Sequence, residues 1–350
     1  MYKKIIFLCL LLFGTSTAVG ELAAHTGRTD FLPDKPAPRV NLVWQPTFEA
    51  ENNLSALPVQ PGVNTASPCW FSIVNEAGLI KSDVDETYIA AAKEKGYRLW
   101  PLIDSGFDAD RMHALLINDK ARHYVVQQLL FYTERYGFDG INLDFENIYD
   151  DDRDQLTLFV REITMALRAE GKTVSIDVTV PSTTPNWSPC YDREALAQIV
   201  DYVMLMAYDE HWRTSPVSGS VASLGWVENG ILATMQQQVP AEKLVLGIPL
   251  YMRLWTEYQG KVSARTLTMP AAQALIKEKG LMPQWQADQG QYYFEYSEAG
   301  RRYRVWQEDE RSLAGKVALV KKYNLAGIAS WRKGFESPGV WPVLAAGMEE

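Results

Sequence analysis

The chain has 350 residues, 47% of them apolar and 22% charged, with a net charge of −9. That length exceeds one average domain and suits a single decorated α/β barrel. The negative balance argues against nucleic acid or an anionic membrane surface as partner. Three Cys and four scattered His form no zinc-ligand pattern.

Residues 1–20 read as a signal peptide. Lys3 and Lys4 make a basic start, and Ile5 to Phe13 is an apolar run short for a mature membrane span. Ala18-Val19-Gly20 supplies small residues for cleavage before Glu21; an uncleaved anchor is the alternative. The mature protein is expected to be secreted or extracytoplasmic, associated with the cell envelope, with no membrane partner. Residues 21–38 are polar, hold three prolines, and read as a linker. Residues 39–345 read as one barrel domain. Cys69 and Cys190 are expected as two thiols.

From Val40 onward, strand-like runs alternate with helical patterns, the sign of repeated βαβ units. Strands are expected at Val40–Trp44, Thr65–Ile73, Arg98–Asp104, Gly140–Glu146, Thr173–Val180, Tyr202–Tyr208, Lys243–Tyr251 and Leu325–Trp331. Helices are expected at Asp85–Lys95, Arg122–Tyr136, Asp152–Glu170, Asp192–Ile199, Trp226–Gln238 and Ser312–Tyr323. Eight strands with their connections make an α/β protein of the (β/α)8 TIM-barrel class, whose active site lies at the C-terminal strand ends. One connection is too long. It holds a helical piece, Met269–Lys279, and a hairpin, Gln291–Tyr296 with Arg301–Trp306. We read residues 256–311 as a small α+β insertion after the seventh strand.

The fourth strand carries the densest chemistry, in Phe138-Asp139-Gly140-Ile141-Asn142-Leu143-Asp144-Phe145-Glu146-Asn147. Period two puts Asn142, Asp144 and Glu146 on one face and Ile141, Leu143 and Phe145 on the other. Asp144 and Glu146 then lie about 6–7 Å apart. An ionised Asp144 near Glu146, away from water, is expected to hold a proton on Glu146. The bland alternative is an edge strand with a solvated polar face.

Other strands add polar groups of matching parity. Ser175, Asp177 and Thr179 alternate on the fifth, where an interior Asp177 needs a partner. The polar cluster around Asp144 is the expected one, and a structural hydrogen-bond network is the alternative role. Met204, Met206 and Tyr208 share a face on the sixth, followed by Asp209, Glu210, His211 and Trp212, expected along the cleft. Tyr251 and Arg253 share parity at the end of the seventh. Gly327 and Ala329 leave room for the indole of Trp331 on the eighth. Trp44, Trp70 and Trp100 lie on strands, with their faces unassigned. The acidic run 150–154 lacks the Gly and the distal Glu of a calcium loop and suits the start of a helix. There is no G-x-S-x-G, H-E-x-x-H or P-loop.

DGINLDFE resembles the DGxDxDxE signature of glycoside hydrolase family 18, the chitinase-like enzymes. It departs at Asn142, where most chitinases have Asp. The Asn form resembles a branch of spore-germination and cortex-lytic N-acetylglucosaminidases, as do Asn186-Trp187-Ser188 and Tyr208-Asp209-Glu210-His211-Trp212. Met206-Ala207-Tyr208-Asp209 and the run Gly247 to Arg253 resemble further family segments. The resemblance implies retaining cleavage of β-1,4 bonds next to N-acetylglucosamine, in peptidoglycan or chitin-like glycans, assisted by the substrate's own acetamide. It gives Glu146 the general acid/base role, and sets Asp144 and Tyr208 on the acetamide. Asn142, Asp177, Asp209, Glu210, Tyr251, Arg253 and Trp331 would meet the substrate. It implies no metal or organic cofactor, and the protein is expected to be a monomer with no nucleic-acid partner. A chitinase-like lectin that binds amino sugars without cleaving them is the alternative, although such proteins commonly lack the acid that Glu146 supplies here.

Overall fold

The computed structural model describes residues 38–46 and 60–348. The signal-peptide reading, and the linker reading up to Ala37, lie outside the described residues. The first nine strands are β1 (Val40–Pro46), β2 (Thr65–Ile73), β3 (Ile80–Ser82), β4 (Arg98–Leu99), β5 (Leu102–Asp104), β6 (Gly140–Asp144), β7 (Thr173–Thr179), β8 (Tyr202–Met206) and β9 (Leu244–Pro249). An insertion holds β10 (Tyr251–Tyr258), β11 (Lys261–Thr268), β12 (Gln284–Gln286), β13 (Gln291–Glu298) and β14 (Arg301–Gln307) before β15 (Gly327–Trp331). One sheet runs β1-β15-β9-β8-β7-β6-β5-β2 in parallel and closes through β1–β2 pairing, with β3 antiparallel at its margin and β4 beside β2. β4 and β5 act as one barrel strand interrupted at Trp100-Pro101, because proline has no N–H to give the ladder.

Helices α1 (Glu86–Glu94), α2 (Ala109–Leu116), α3 (Asp119–Tyr136), α4 (Arg153–Ala169), α5 (Arg193–Ile199), α6 (Leu224–Gln236), α7 (Met269–Lys279), α8 (Glu310–Tyr323) and α9 (Val340–Met348) complete the fold. Side-chain caps start several of them. Asp85 accepts from the Thr87 and Tyr88 N–H groups, and Asp309 forms a capping box with Ser312, each such cap worth about 1 kcal/mol. Sequence patterning located α1 and α3 to α8 but not α2 or α9. No helix among the described residues is long and apolar enough to cross a membrane.

Alternation along each strand sorts two apolar layers. Ile141, Leu143 and Phe145, with Val174, Ile176 and Val178, pack outward against the helices. Val40, Leu42, Trp44, Trp100, Leu102, Met204, Val245 and Ala329 fill the barrel itself. At the closure between β1 and β15, a Cβ on Gly327 would stand 1.9 Å from the Val40 carbonyl oxygen, at a φ of +157°, so only glycine lets these strands meet.

The insertion corrects the expected boundaries. The seventh barrel strand stops at Pro249, and Tyr251–Tyr258 is instead the first strand of an antiparallel five-stranded sheet, ordered β11-β10-β14-β13-β12. Tyr251 and Arg253 therefore sit on the insertion. The predicted hairpin is present as β13–β14, in register from Tyr292–Gln307 to Glu298–Arg301. Its neighbours β10 and β11 were missed, because Tyr251-Met252-Arg253-Leu254-Trp255 continues the barrel strand's apolar pattern without a turn residue.

Candidate active site

At the C-terminal end of the barrel lies a cavity of about 220 Å³ lined by Trp44, Asp144, Glu146, Asp177, Tyr208, Asp209, Tyr251, Arg253, Trp331 and Phe335, among others. β6 supplies its centre. Asp144 is the last strand residue and Glu146 stands just beyond it. Two hydrogen bonds fix the backbone that carries Glu146. The Tyr191 hydroxyl donates to the Phe145 carbonyl at 2.9 Å, and the Ser105 hydroxyl to the Glu146 carbonyl at 2.9 Å. Asn147 then takes a left-handed turn at φ 54°.

Beneath the carboxyls, Asn142 is fully buried. Its carbonyl oxygen accepts from Trp44 Nε1 at 2.8 Å, and its amide donates to Ser175 Oγ at 3.0 Å and Asp177 Oδ1 at 2.7 Å. Asn142 thus supports the site from below and does not line the cavity. Asp177 meets the expectation of a buried carboxylate with a polar partner. One oxygen of Asp144, Oδ1, is buried without any hydrogen-bond partner, which is costly and marks an acceptor free for a ligand's donor.

Burial dominates the electrostatics. It pushes Asp144 up to about 7, with the charge of Asp104 adding to the rise. Glu146 is pushed well above the carboxylate range, first by burial and then by Asp144 and Asp209. The expected effect of Asp144 on Glu146 is present but second to desolvation, and Asp144 itself shares the perturbation. Asp177 is raised well above its ordinary value by burial and by Asp144, while the Asn142 hydrogen bond opposes the rise. Tyr208 is held up by burial and then by Asp177, so its hydroxyl stays a donor. These groups together make a pocket able to hold and release a proton near neutral pH.

The insertion closes one side. Asp209, at φ 58°, accepts from the Tyr251 hydroxyl at 2.7 Å and from Arg253 Nη2 at 2.8 Å. The guanidinium also lies 4.8 Å over the Tyr251 ring. Aromatic rings form the remaining wall. Trp331 meets Trp44 edge-on at 6.2 Å, and Tyr251 meets both Tyr208 and Phe335 edge-on at 6.3 and 6.4 Å. Such rings offer flat apolar faces with polar edges.

Most sequence-predicted residues gather here, and Glu210 does not. Its carboxylate accepts from the Ser223 N–H at 2.8 Å, tying the β8–α6 loop to the start of α6 and turning away from the cavity. His211 likewise packs into that loop, with Nδ1 on the Ser220 carbonyl at 2.9 Å. Sequence reasoning missed Phe335, Thr266 and Asp104 and left Trp44 unassigned. Trp44 follows the parity of Val40 and Leu42, a signal legible once β1 is known to face inward. Cys69 and Cys190 are both free thiols.

The family model for glycosyl hydrolases family 18 matches residues 85–335. The chain is 28% identical over 284 residues to the uncharacterized glycosylase YvbX of Bacillus subtilis, covering 77% of this chain and 80% of that protein. It is 30% identical over 245 residues to the cortical fragment-lytic enzyme of Bacillus subtilis, covering 68% of this chain and 56% of that enzyme, so it spans little more than half of that relative's length. A crystal structure of a chitinase from Chromobacterium violaceum superposes with a TM-score of 0.81 at 26% identity, covering 90% of this chain and 100% of that one. The chain belongs to glycosyl hydrolases family 18, as a chitinase-like glycosidase on a TIM barrel.

Proposed function

We propose that this protein cleaves β-1,4 bonds on the reducing side of N-acetylglucosamine residues, with retention and with the substrate's acetamide as nucleophile. The observation that carries the reading is Glu146. It is held at the strand end by two backbone hydrogen bonds, and burial and Asp144 favour its protonated form. A retaining enzyme normally needs a second carboxyl as nucleophile about 5 Å away, but members of this family use the substrate instead. Glu146 then protonates the glycosidic oxygen as the acetamide oxygen attacks the anomeric carbon. The bond to the leaving sugar breaks, and an oxazolinium forms. Asp144, with its free Oδ1, accepts the acetamide N–H and offsets the positive charge. The Tyr208 hydroxyl donates to the acetamide oxygen, and Trp331 floors the reacting sugar. Water then attacks the anomeric carbon, Glu146 takes its proton, and the β configuration returns.

Kinship to the cortical fragment-lytic enzyme favours peptidoglycan over chitin, acted on outside the cytoplasm by an exported monomer. Digestion of purified peptidoglycan, spore cortex and chitin oligosaccharides tests this, comparing the wild type with Glu146→Gln by mass spectrometry. Fragments ending in reducing N-acetylglucosamine are expected from the wild type alone, with turnover by the variant down about 10²–10⁴-fold. Undiminished turnover by the variant would remove Glu146 as the acid. Binding without any release by the wild type would establish a lectin.

A further inference from the structure

Asp104 has no part in the chemistry above, yet it is the direct neighbour of Asp144. β5 and β6 run parallel, and their register pairs Asp104 with Asp144. Paired residues on adjacent strands leave the sheet on the same face, here toward the barrel mouth, with strands about 4.8 Å apart. Both Asp104 oxygens are held in place. Ser72 Oγ donates to Oδ2 at 2.6 Å, and the Gly106 N–H donates to Oδ1 at 2.7 Å. Asp144 Oδ1 has no such donor. The family signature places a further carboxylate two residues before Asp144, and this chain has a neutral Asn142 there, committed to Trp44, Ser175 and Asp177.

We propose that Asp104 supplies Asp144 with the anionic neighbour that Asn142 withholds, and through Asp144 sets the acid side of the pH range in which the site works. Asp104 is a positioning residue, and the proposal rests on the roles of Asp144 and Glu146 given above. A like charge beside a buried carboxyl favours its protonated form. Asp104 acts on Asp144 in that sense, after burial. The other titratable groups around Asp144 are Cys69 from β2, Asp177 from β7, Tyr191 ahead of α5, Tyr208 after β8, and Glu146 on its own segment. All five are pushed up, first by burial, and all feel the charge of Asp144. Among the cations, Arg253 is bonded to Asp209, and Arg332 acts on Cys69.

Asp104→Asn keeps the size of the side chain and an acceptor for Gly106. The kcat/KM profile against pH is measured on cortex fragments or chitin oligosaccharides. The acid limb is expected to move down by about one pH unit. The alkaline limb, set by Glu146, moves less, because Asp104 is the smallest of the causes acting there. A profile scaled in height with an unmoved acid limb would overturn the proposal and leave the hydrolase reading intact. A second readout needs no turnover. In resting protein carrying carboxyl-labelled Asp, the Asp144 resonance, identified by its loss in Asp144→Asn, is titrated by ¹³C NMR. Its midpoint is expected to fall in Asp104→Asn, and an unchanged midpoint overturns the proposal whatever Glu146→Gln does to activity.

Discussion

Asp144→Asn separates the stability of this fold from the activity of its site. Asp144 is 9% exposed, and one of its oxygens is buried without a partner. Ionising it in the fold therefore costs much more than ionising it in the unfolded chain. Its pKa rises from 3.8 to about 7. A group raised in the fold gives its stability fully below the unfolded pKa and loses it as pH climbs through the folded one. The window is thus about pH 4 to 7, with stability falling as pH rises. At about 1.4 kcal/mol per pH unit, an interval of about 3 units amounts to about 4 kcal/mol above pH 7. Asn cannot ionise, and its own unpaired amide adds a cost of about 1–3 kcal/mol that does not vary with pH. Plotted against pH, the stability of the variant minus that of the wild type is expected to climb by about 4 kcal/mol between pH 4 and 8. Relief of Glu146 and Asp177, which both feel Asp144, adds in the same direction. Urea unfolding followed by tryptophan fluorescence at stepped pH measures the curve. A difference that stays flat across pH would refute the claim that a buried, unpaired carboxylate strains the fold at neutrality.

Trp331→Ala removes the ring that meets Trp44 edge-on at 6.2 Å. Measured by calorimetry in a Glu146→Gln background, oligosaccharide affinity is expected to fall about 10- to 100-fold, as for loss of a major stacking face; unchanged affinity would take Trp331 off the sugar. Lys316 and Glu308 form an ion pair with both side chains 0% exposed, at 2.9 Å. Lys316→Met leaves buried Glu308 without its cation, with only the Ser312 hydroxyl and the Gln291 amide donating to it, and is expected to cost about 3–5 kcal/mol in urea unfolding, with part of it regained in Lys316→Met/Glu308→Leu. A double variant no more stable than the single one would refute that account.

The fold was legible where local periodicity coincides with a barrier to solvent. Ile141, Leu143 and Phe145 alternate with Asn142, Asp144 and Glu146, and the sheet separates them to opposite faces, outward to the helices and inward to the site. Asp144 and Trp331 were legible for the same reason, since each ends a strand whose direction fixes where its tip emerges, and Tyr208 and Asp209 follow just after β8. What stayed hidden depends on closure. Trp44 meets Trp331 only because β1 pairs with β15 across the seam, and no local pattern reports a contact between residues so far apart in the chain. Glu210 looked like a cleft residue by neighbourhood, but the left-handed turn at Asp209 redirects the chain and sends the next carboxylate to the Ser223 N–H.

The charge balance of the pocket gives one reason for its shape. Asp144, Glu146, Asp177 and Asp209 line it, and Arg253 is the one cation among its lining residues, already bonded to Asp209. A resting site so arranged limits repulsion by keeping protons on its buried carboxyls, and the one on Glu146 is the reagent for cleaving a glycosidic bond. The developing oxazolinium reverses the balance. Positive charge appears near Asp144 as Glu146 gives up its proton, and an ionised Asp144 that was costly at rest becomes favourable in the transition state. The interaction is realised late, which lowers the barrier without tightening ground-state binding. By this argument the unpaired Asp144 oxygen and the loss of stability between about pH 4 and 7 are two sides of one arrangement. A variant that relieves the strain at that oxygen is expected to lose turnover as it gains stability.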